Sequence, residues 1–306
     1  MTKVAVTTTT FCEYDSRPLD LLKSAGYDVI VNPYARKLKT EEVVSVAKDA
    51  VGIIAGLEEY RSDVFNRLTN LKVISRVGVG LDNIDIQAAS KAKVKIFNTP
   101  DAVTHSVAEL TVGFMLNLMR NVLSLSIEMK NGLWGKRAGN LIGGKNVGII
   151  GFGRIGKKVA SLLRSFDCSL SYYDPNVDGS AQHQVKRCKN LNELLNTSDI
   201  ISLHCPPLQN QQPLLSTKEF QAMKRGSWLI NTSRGSLIDE DALLAALKSG
   251  VLKGAALDVF NVEPYRGPLA NLENVILTPH IGSYTVESRP HMEMEAVQNL
   301  IKGLGR

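Results

Sequence analysis

Three side chains with complementary chemistry stand just past three runs of residues that read as strands. Arg234 follows Trp228–Asn231, Glu263 follows Ala255–Val259, and His280 follows Val275–Leu277. Asp258 lies at the end of the second run. In open parallel sheets, ligands bind beyond the carboxyl ends of the strands, so these residues are expected around one site. Their types suit oxidation and reduction of a carbon beside a carboxylate. Oxidising a C2 alcohol needs a base for the hydroxyl proton, and reduction needs an acid; a histidine can do both near neutral pH. A partner carboxylate orients the imidazole and favours its protonated form. An arginine can hold a substrate carboxylate through two parallel bonds. Taken singly, each has another reading. Arg234 could be a helix cap or a phosphate contact, Glu263 before Pro264 a surface turn, and His280 after Pro279 a locally satisfied loop histidine. His204 also ends a strand-like run, beside Pro206-Pro207, and reads as structural or cofactor-lining, whereas His105, His183 and His291 have no comparable context.

A cofactor for that chemistry has its own signal. Gly151-Phe152-Gly153-Arg154-Ile155-Gly156 is a G-x-G-x-x-G sequence. Alone it is weak, but the apolar run Asn146–Ile150 precedes it and the helical stretch Lys157–Phe166 follows. Gly151 can make the tight turn, Gly153 lets the main chain approach a pyrophosphate, and Gly156 permits close packing of helix on strand. The N–H groups of Arg154 and Ile155 would face the phosphates from the helix N-terminus. Asp174 ends the next strand, twenty-three residues after Gly151. That is close to the spacing of an acid that accepts from the adenosine ribose. Pro175 and Asn176 follow it rather than an arginine, which favours NAD over NADP. The competing reading is a glycine turn with an incidental surface acid.

Placing these groups requires a sheet of the right order. Val4–Thr8, Asp28–Asn32, Ala50–Ala55, Leu71–Ser75 and Val94–Phe97 read as strands, with helical stretches such as Pro18–Ala25 and Ser62–Leu68 between them. A second series runs through Asn146–Ile150, Ser169–Tyr173, Ile200–His204, Trp228–Asn231, Ala255–Val259 and Val275–Leu277. Such alternation implies βαβ units and parallel sheets, and six strands complete a doubly wound dinucleotide domain. Between the series, Ser106 to Met129 reads as one long inter-domain helix, opened by a candidate capping box at Ser106-Val107-Ala108-Glu109. Val286 to Leu304 also reads as helix, expected to cross back to the first domain.

The totals agree. A chain of 306 residues suits two domains, and 44% hydrophobic with 22% charged residues is ordinary globular composition. No apolar run reaches the roughly 18 residues that span a bilayer. Met1-Thr2-Lys3-Val4-Ala5-Val6 reads as a strand rather than a secretory signal, so a cytoplasmic location is expected, with no membrane partner. The net charge of +6 fits solubility or attraction of small anions such as dinucleotides and carboxylates. No dense basic block or arm occurs, so nucleic acid is not expected as a partner, and Lys157-Lys158 and Lys186-Arg187 read as solvated surface. Cys12, Cys168, Cys188 and Cys205 form no C-x-x-C pair and no zinc-like spacing with histidine, so no metal is expected.

The sequence resembles the D-isomer-specific 2-hydroxyacid dehydrogenase family, and within it the phosphoglycerate dehydrogenases. The likeness covers nearly the whole chain: Arg76–Asp85, Asn98-Thr99-Pro100, the glycine loop, His204-Cys205-Pro206-Pro207, Asn231–Gly235, Leu257–Pro264 and Thr278–Ser283. The resemblance implies an α/β protein with two doubly wound parallel-sheet domains. A Rossmann NAD-binding domain, residues 99–284, would be inserted in a flavodoxin-like substrate domain made of 1–98 and 285–306. The implied activity is NAD-dependent hydride transfer between nicotinamide and C2 of a small D-2-hydroxy or 2-oxo acid, of the 3-phosphoglycerate, glycerate/hydroxypyruvate or glyoxylate type. Arg234, Glu263 and His280 would be the catalytic set. The resemblance adds Val77, Gly78, Val79 and Gly80 at the substrate carboxylate. It lines the NAD site with Val79, Arg154, Ile155, Asp174, Cys205, Thr232, Ser233, Asp258, His280, Gly282 and Ser283. It also implies a homodimer through the cofactor domains, involving the Ser106–Met129 helix.

Two features depart from the family pattern. The chain stops at Arg306 without the regulatory extension of some phosphoglycerate dehydrogenases, so serine feedback by that route is not expected. Ala55-Gly56-Leu57-Glu58-Glu59 occupies a loop that often carries an arginine for substrate phosphate. Two acids there argue against 3-phosphoglycerate, although Lys136 or Arg137, after Trp134, could supply positive charge from a partner subunit. The competing function is a non-catalytic NAD sensor or corepressor on the same fold; the complete Arg/Glu/His set favours an enzyme. Formate or phosphite oxidation is weaker, since a formate enzyme of this family usually has glutamine where Glu263 stands.

Overall fold

The computed structural model describes residues 2–177, 185–208 and 210–305; Met1, His183 and Arg306 lie outside them. The chain divides into two compact units, one of Met1–Val103 with Ser283–Arg306, the other of Thr104–Gly282. In the first unit β1 (Thr2–Val6), β2 (Tyr27–Val31), β3 (Ala50–Ala55), β4 (Val73–Arg76) and β5 (Lys95–Phe97) alternate with α1 (Arg17–Ser24), α2 (Thr40–Ala47), α3 (Ser62–Arg67) and α4 (Ile86–Lys91). All strands pair in parallel in the order β2-β1-β3-β4-β5, the flavodoxin-like winding. The last helix, α11 (Ser288–Gly303), belongs to this unit and buries Met292, Ala296, Val297 and Leu300. A Cβ on Gly52 of β3 would lie 3.0 Å from Leu300, so the helix sits directly on the sheet. Its first turn is fastened by Arg289, which pairs with Glu293 at 2.8 Å and donates to the Thr10 carbonyl.

The second unit opens with α5 (Thr104–Arg120) and α6 (Val122–Lys130). The expected single helix is therefore broken. Asn121 adopts φ +54 between the two halves, which are bent by 64°. Asparagine tolerates that left-handed conformation, and the apolar spacing running on through the break conceals it from a periodicity reading. The expected capping box is also absent: the helix starts at Thr104, and Ser106 is buried inside its first turn. Among the described residues no single helix is long and apolar enough to cross a membrane; α5 and α6 meet that test only as this bent pair.

Seven parallel strands follow: β6 (Asn146–Ile150), β7 (Ser169–Tyr173), β8 (Lys186–Arg187), β9 (Ile200–Leu203), β10 (Ser227–Asn231), β11 (Leu252–Leu257) and β12 (Val275–Leu277). Their order is β12-β11-β10-β9-β6-β7-β8, the doubly wound pattern with its switch point between β6 and β9. The seventh strand corrects the expectation of six. Lys186-Arg187 is exposed, as expected, yet pairs with Ser171 and Tyr172 as an edge strand of only two residues. Helices α7 (Arg154–Leu163), α8 (Leu191–Thr197), α9 (Thr217–Gln221) and α10 (Glu240–Lys248) connect the strands. Helix α7 buries Gly156, Val159, Ala160 and Leu163, one helical stripe. Beneath it Phe152 stacks on Tyr172 at 4.0 Å, in a core shared with Met115 and Met119 of α5.

At Gly156 the helix rests on the glycine turn, where a Cβ would overlap the Gly151 carbonyl oxygen. That neighbour is main chain and cannot swing away. Gly156→Ala is expected to lose about 1–3 kcal/mol of stability, as other overpacked sites do. Urea unfolding checks this, and an unchanged midpoint would show that the turn yields without cost.

Candidate active site

The glycine turn forms where the sheet reverses its winding. Ile150 at the end of β6 lies opposite Leu203 at the end of β9. The chain then passes through Gly151 at φ +90, where a Cβ would lie 2.5 Å from the Cys205 nitrogen. Gly153, at the start of α7, differs: a Cβ there would meet nothing within 4 Å. Its main chain borders open space at the N-terminus of a ten-residue helix whose first residues are Arg154 and Ile155. Such an end favours an anion. Asp174, directly after β7, accepts from the Phe152 N–H at 2.7 Å and the Asn176 N–H at 2.8 Å. A carboxylate has about four lone-pair directions, so this one can still accept from ribose hydroxyls. The open cradle, the helix end and the acid together fit NAD.

Across the switch point, His204 and Cys205 continue from β9. The His204 Nε2 shares a 2.8 Å hydrogen bond with the Ser202 hydroxyl, while its Nδ1 is buried without a partner. Burial pushes the imidazole down to about 3, so the ring is neutral. Burial likewise pushes the Cys205 thiol up to about 11, which makes it a packing group rather than a nucleophile. The next loop is fastened here as well, because the Ser233 hydroxyl donates to the Cys205 carbonyl at 2.6 Å.

That next loop carries Arg234. The Asn231 side chain braces it twice, accepting from the Ser233 N–H at 3.0 Å and donating to the Arg234 carbonyl at 2.9 Å. The following Gly235 lies so close to the loop after β11 that a Cβ would overlap the Phe260 carbonyl carbon. Arg234 itself is half-buried, with its guanidinium donating to the Ser233 carbonyl at 2.7 Å. Glu263 accepts from the Phe260 N–H at 3.2 Å through Oε1, and its Oε2 lies 3.0 Å from Nδ1 of His280. The fold thus joins two of the three expected catalytic side chains directly.

Asp258 holds the turn that presents His280. It is 1% exposed and accepts from the Thr278 hydroxyl at 2.5 Å and the N–H groups of Ile281 and Gly282 at 2.8 and 2.7 Å. Burial raises its carboxyl above the usual range, and these three donors oppose that shift. Within the turn His280 adopts φ +56, with its N–H directed to the Thr278 carbonyl. Asp258 was expected to line the cofactor site; here both of its oxygens hold the loop.

The remaining expected residues, Val77 to Gly80 and Ser283, belong to the first unit. Thr99 engages the Gly78 main chain at both its N–H and its carbonyl. That N–H donates to the Thr99 hydroxyl at 2.7 Å, and the Gly78 carbonyl accepts from the Thr99 N–H at 2.9 Å. Asn98 fixes the Val79 carbonyl at 2.7 Å. The two acids of the preceding loop are not free charges either. Glu58 is fully buried and accepts from the Gly56 N–H at 2.8 Å, with burial raising its carboxyl, while Glu59 pairs with Arg61 at 2.5 Å. Arg137, in the second unit, pairs with Glu128 at 2.6 Å. Asn231, Thr278 and Thr99 were not singled out from the sequence. Each lies inside a quoted segment, but nothing in its type announces a bracing role.

The buried neutral His204 has a measurable consequence. Its folded pKa is depressed, so its contribution is intact above the ordinary imidazole pKa and is lost as pH falls from about 6.5 towards about 3. Between pH 8 and pH 5 it should remove about 2 kcal/mol of stability. His204→Gln is expected to abolish that part of the pH dependence in unfolding measurements, and an identical slope in the variant would refute it.

Comparison with known proteins agrees with this architecture. The model of the D-isomer specific 2-hydroxyacid dehydrogenase, NAD binding domain, matches residues 112–282. The chain is 37% identical over 278 residues to a hydroxypyruvate reductase of Thermotoga maritima, covering 88% of this chain and 89% of that protein. It is 39% identical over 261 residues to a D-3-phosphoglycerate dehydrogenase of Methanocaldococcus jannaschii, covering 83% of this chain and 50% of that longer protein. The crystal structure of a glyoxylate reductase from Paecilomyes thermophila is similar with a TM-score of 0.90 at 28% identity, over 100% of this chain and 96% of that one. With the family model spanning more than half the chain and a relative matched over most of its length, this chain belongs to the D-isomer specific 2-hydroxyacid dehydrogenase family.

Proposed function

We propose that the chain is an NAD-dependent dehydrogenase of small D-2-hydroxy acids, working between these and the corresponding 2-oxo acids. The observation that carries the reading is the 3.0 Å contact between His280 Nδ1 and Glu263 Oε2, on loops past adjacent strands of the second unit. When bound, NAD supplies the hydride acceptor of the reaction. Proton transfer and orientation fall to the chain. With Nδ1 held by Glu263, His280 exchanges the substrate hydroxyl proton through Nε2. The Glu263 carboxylate stabilises the imidazolium formed during oxidation. Arg234 holds the substrate carboxylate, its loop fixed by Asn231 and Gly235. Gly151, Gly153, Arg154, Ile155, Gly156 and Asp174 are the proposed binders of the adenosine diphosphate half. Cys205, Thr232, Ser233, Asp258 and Gly282 are proposed around the remainder. For the substrate-binding turn Val77–Gly80, the proposed donors are the N–H groups of Val79 and Gly80, since Gly78 is engaged by Thr99.

The burial of Glu58 and the pairing of Glu59 with Arg61 weaken the electrostatic case against a phosphorylated substrate. We further propose a homodimer built on α6 and the segment after it. Val122, Leu123, Ile127, Met129 and Leu133 are all exposed there, and Trp134 is 80% exposed. So concentrated an apolar face is unusual on a monomer. A cytoplasmic location accords with four free cysteines.

The test is NADH oxidation with glyoxylate, hydroxypyruvate, pyruvate and phosphohydroxypyruvate. Turnover of at least one is expected; NADH binding without turnover of any 2-oxo acid would favour a sensor instead. Arg234→Ala should lower kcat/KM by about 2–5 kcal/mol in transition-state binding while NADH still binds. Glu263→Gln should lower kcat/KM roughly tenfold or more by loosening the held imidazole, and an unchanged kcat/KM would break the proposed pair. Sedimentation velocity should find two chains per particle for the wild type and one for Trp134→Asp.

A further inference from the structure

In the first unit, side chains tie the ends of neighbouring strands together in the order of the sheet. The Asn32 side chain, after β2, donates to the Thr7 carbonyl, after β1, at 3.0 Å. The Thr7 hydroxyl oxygen lies 3.3 Å from Glu58 Oε2 and 2.6 Å from the Tyr60 hydroxyl, both in the loop after β3. The Asn83 side chain, in the turn after β4, donates to the Gly56 and Glu58 carbonyls at 3.2 and 2.6 Å. The main-chain carbonyl of Asn83 accepts from the Tyr60 N–H at 2.8 Å. Thr99, after β5, holds Gly78. Asn83 stands three residues past Gly80, so what fixes Asn83 fixes the far end of the Val77–Gly80 turn.

Glu58 stands in the middle of this series and is bonded on both sides, its side chain towards Thr7 and its carbonyl to Asn83. The same Oε2 accepts from the Gly56 N–H at 2.8 Å, so the carboxyl also closes its own loop. Its Oε1 is buried without a hydrogen-bond partner among the described residues. The contacts therefore use one accepting oxygen, a role that an amide oxygen can also fill. The loop lies close against the end of β1, since a Cβ on Gly56 would be 3.0 Å from the Thr8 Cα. We infer that Glu58 is a positioning residue that sets the turn Val77–Gly80 by holding the loop after β3 between Thr7 and Asn83. The inference rests on the substrate-binding part of the function proposed above, in which the Val79 and Gly80 N–H groups meet the substrate carboxylate. Glu58 is fully buried and acts through Asn83 rather than by contact with substrate.

The test separates KM from kcat in the full-length protein, with the 2-oxo acid that the wild type reduces fastest. Glu58→Leu keeps apolar bulk but removes the acceptor. Loss of substrate binding alone raises KM and spares kcat, so KM should rise roughly tenfold with kcat within about twofold. NADH affinity, read by fluorescence titration, should stay unchanged, because the proposed cofactor contacts belong to the second unit. Glu58→Gln should keep KM within about twofold of the wild type, even where it lowers the urea midpoint. A residue that only stabilised the fold would do the reverse, losing active protein and hence kcat at an unchanged KM. Asn83→Ala should raise KM by a similar factor, and combining it with Glu58→Leu should add little, because both cut one path. An unchanged KM in Glu58→Leu, an equal rise in Glu58→Gln, or additive effects in the double variant would overturn the assignment. Should Glu58→Leu fail to fold, Thr7→Val decides: it must raise KM by roughly threefold or more, and an unchanged KM there overturns the proposal as well. Failure of the wild type to reduce any 2-oxo acid would overturn the function reading and this inference with it; turnover with KM unmoved in these variants overturns this inference alone.

Discussion

Main chain lies directly against main chain at the carboxyl ends of the seven-stranded sheet. The turn after β6 abuts the start of the loop after β9 at Gly151, α7 abuts the same turn at Gly156, and the loop after β10 abuts the loop after β11 at Gly235. At each of these points a single methyl group would strike a carbonyl or amide atom rather than a side chain that could rotate aside. Close packing of that kind transmits position. The loop that carries Cys205 is thereby referred to the glycine turn, and the loop of Arg234 to that of Glu263, not merely to the strands that precede them.

Polar groups complete the arrangement before any ligand arrives. Asp258 gathers three donors from the turn of His280, Asn231 braces both sides of the Arg234 loop, and Ser233 ties that loop to Cys205. A buried carboxylate with satisfied lone pairs is stable in low dielectric, whereas the same group without its donors would be costly. The turn is therefore either fully formed or strongly disfavoured. Preorganised dipoles and side chains need little rearrangement during a reaction, which is where fixed loops assist hydride and proton transfer. His204 and Cys205 belong to this scaffold: both are held in their neutral forms by burial, one pushed down and the other up.

Much of this was legible in the amino-acid order. Apolar runs of five residues bounded by turn residues mark the parallel strands, because buried strands admit little else. The glycine spacing after Ile150 could be read because tight turns and close helix packing exclude side chains whatever the surroundings. The break at Asn121 was not legible, since both half-helices continue one apolar pattern and a single left-handed residue leaves no periodic trace. Nor was β8, because two exposed basic residues carry no strand signature; only the free edge of β7 makes them one. The settings of Glu58 and Glu59 were not legible for a related reason. Sequence shows that two carboxylates are present, but not that one is buried and the other meets Arg61.

The sequence alone determined the order of elements, the turn chemistry and the residue types available beyond each strand, because these depend on local sterics and on hydrophobic periodicity. Tertiary structure decided which of those residues meet and which atoms remain available. It joined His280 to Glu263 from positions on separate loops, turned Asp258 inward to hold a turn, engaged the N–H of Gly78 with Thr99, and set the hydroxyl of Thr232 against that of Thr111 in mid-helix. The physical reason is the short range of hydrogen bonds. They act over about 3 Å and depend on direction, so they are set by distances between segments far apart in the chain, which no local pattern encodes.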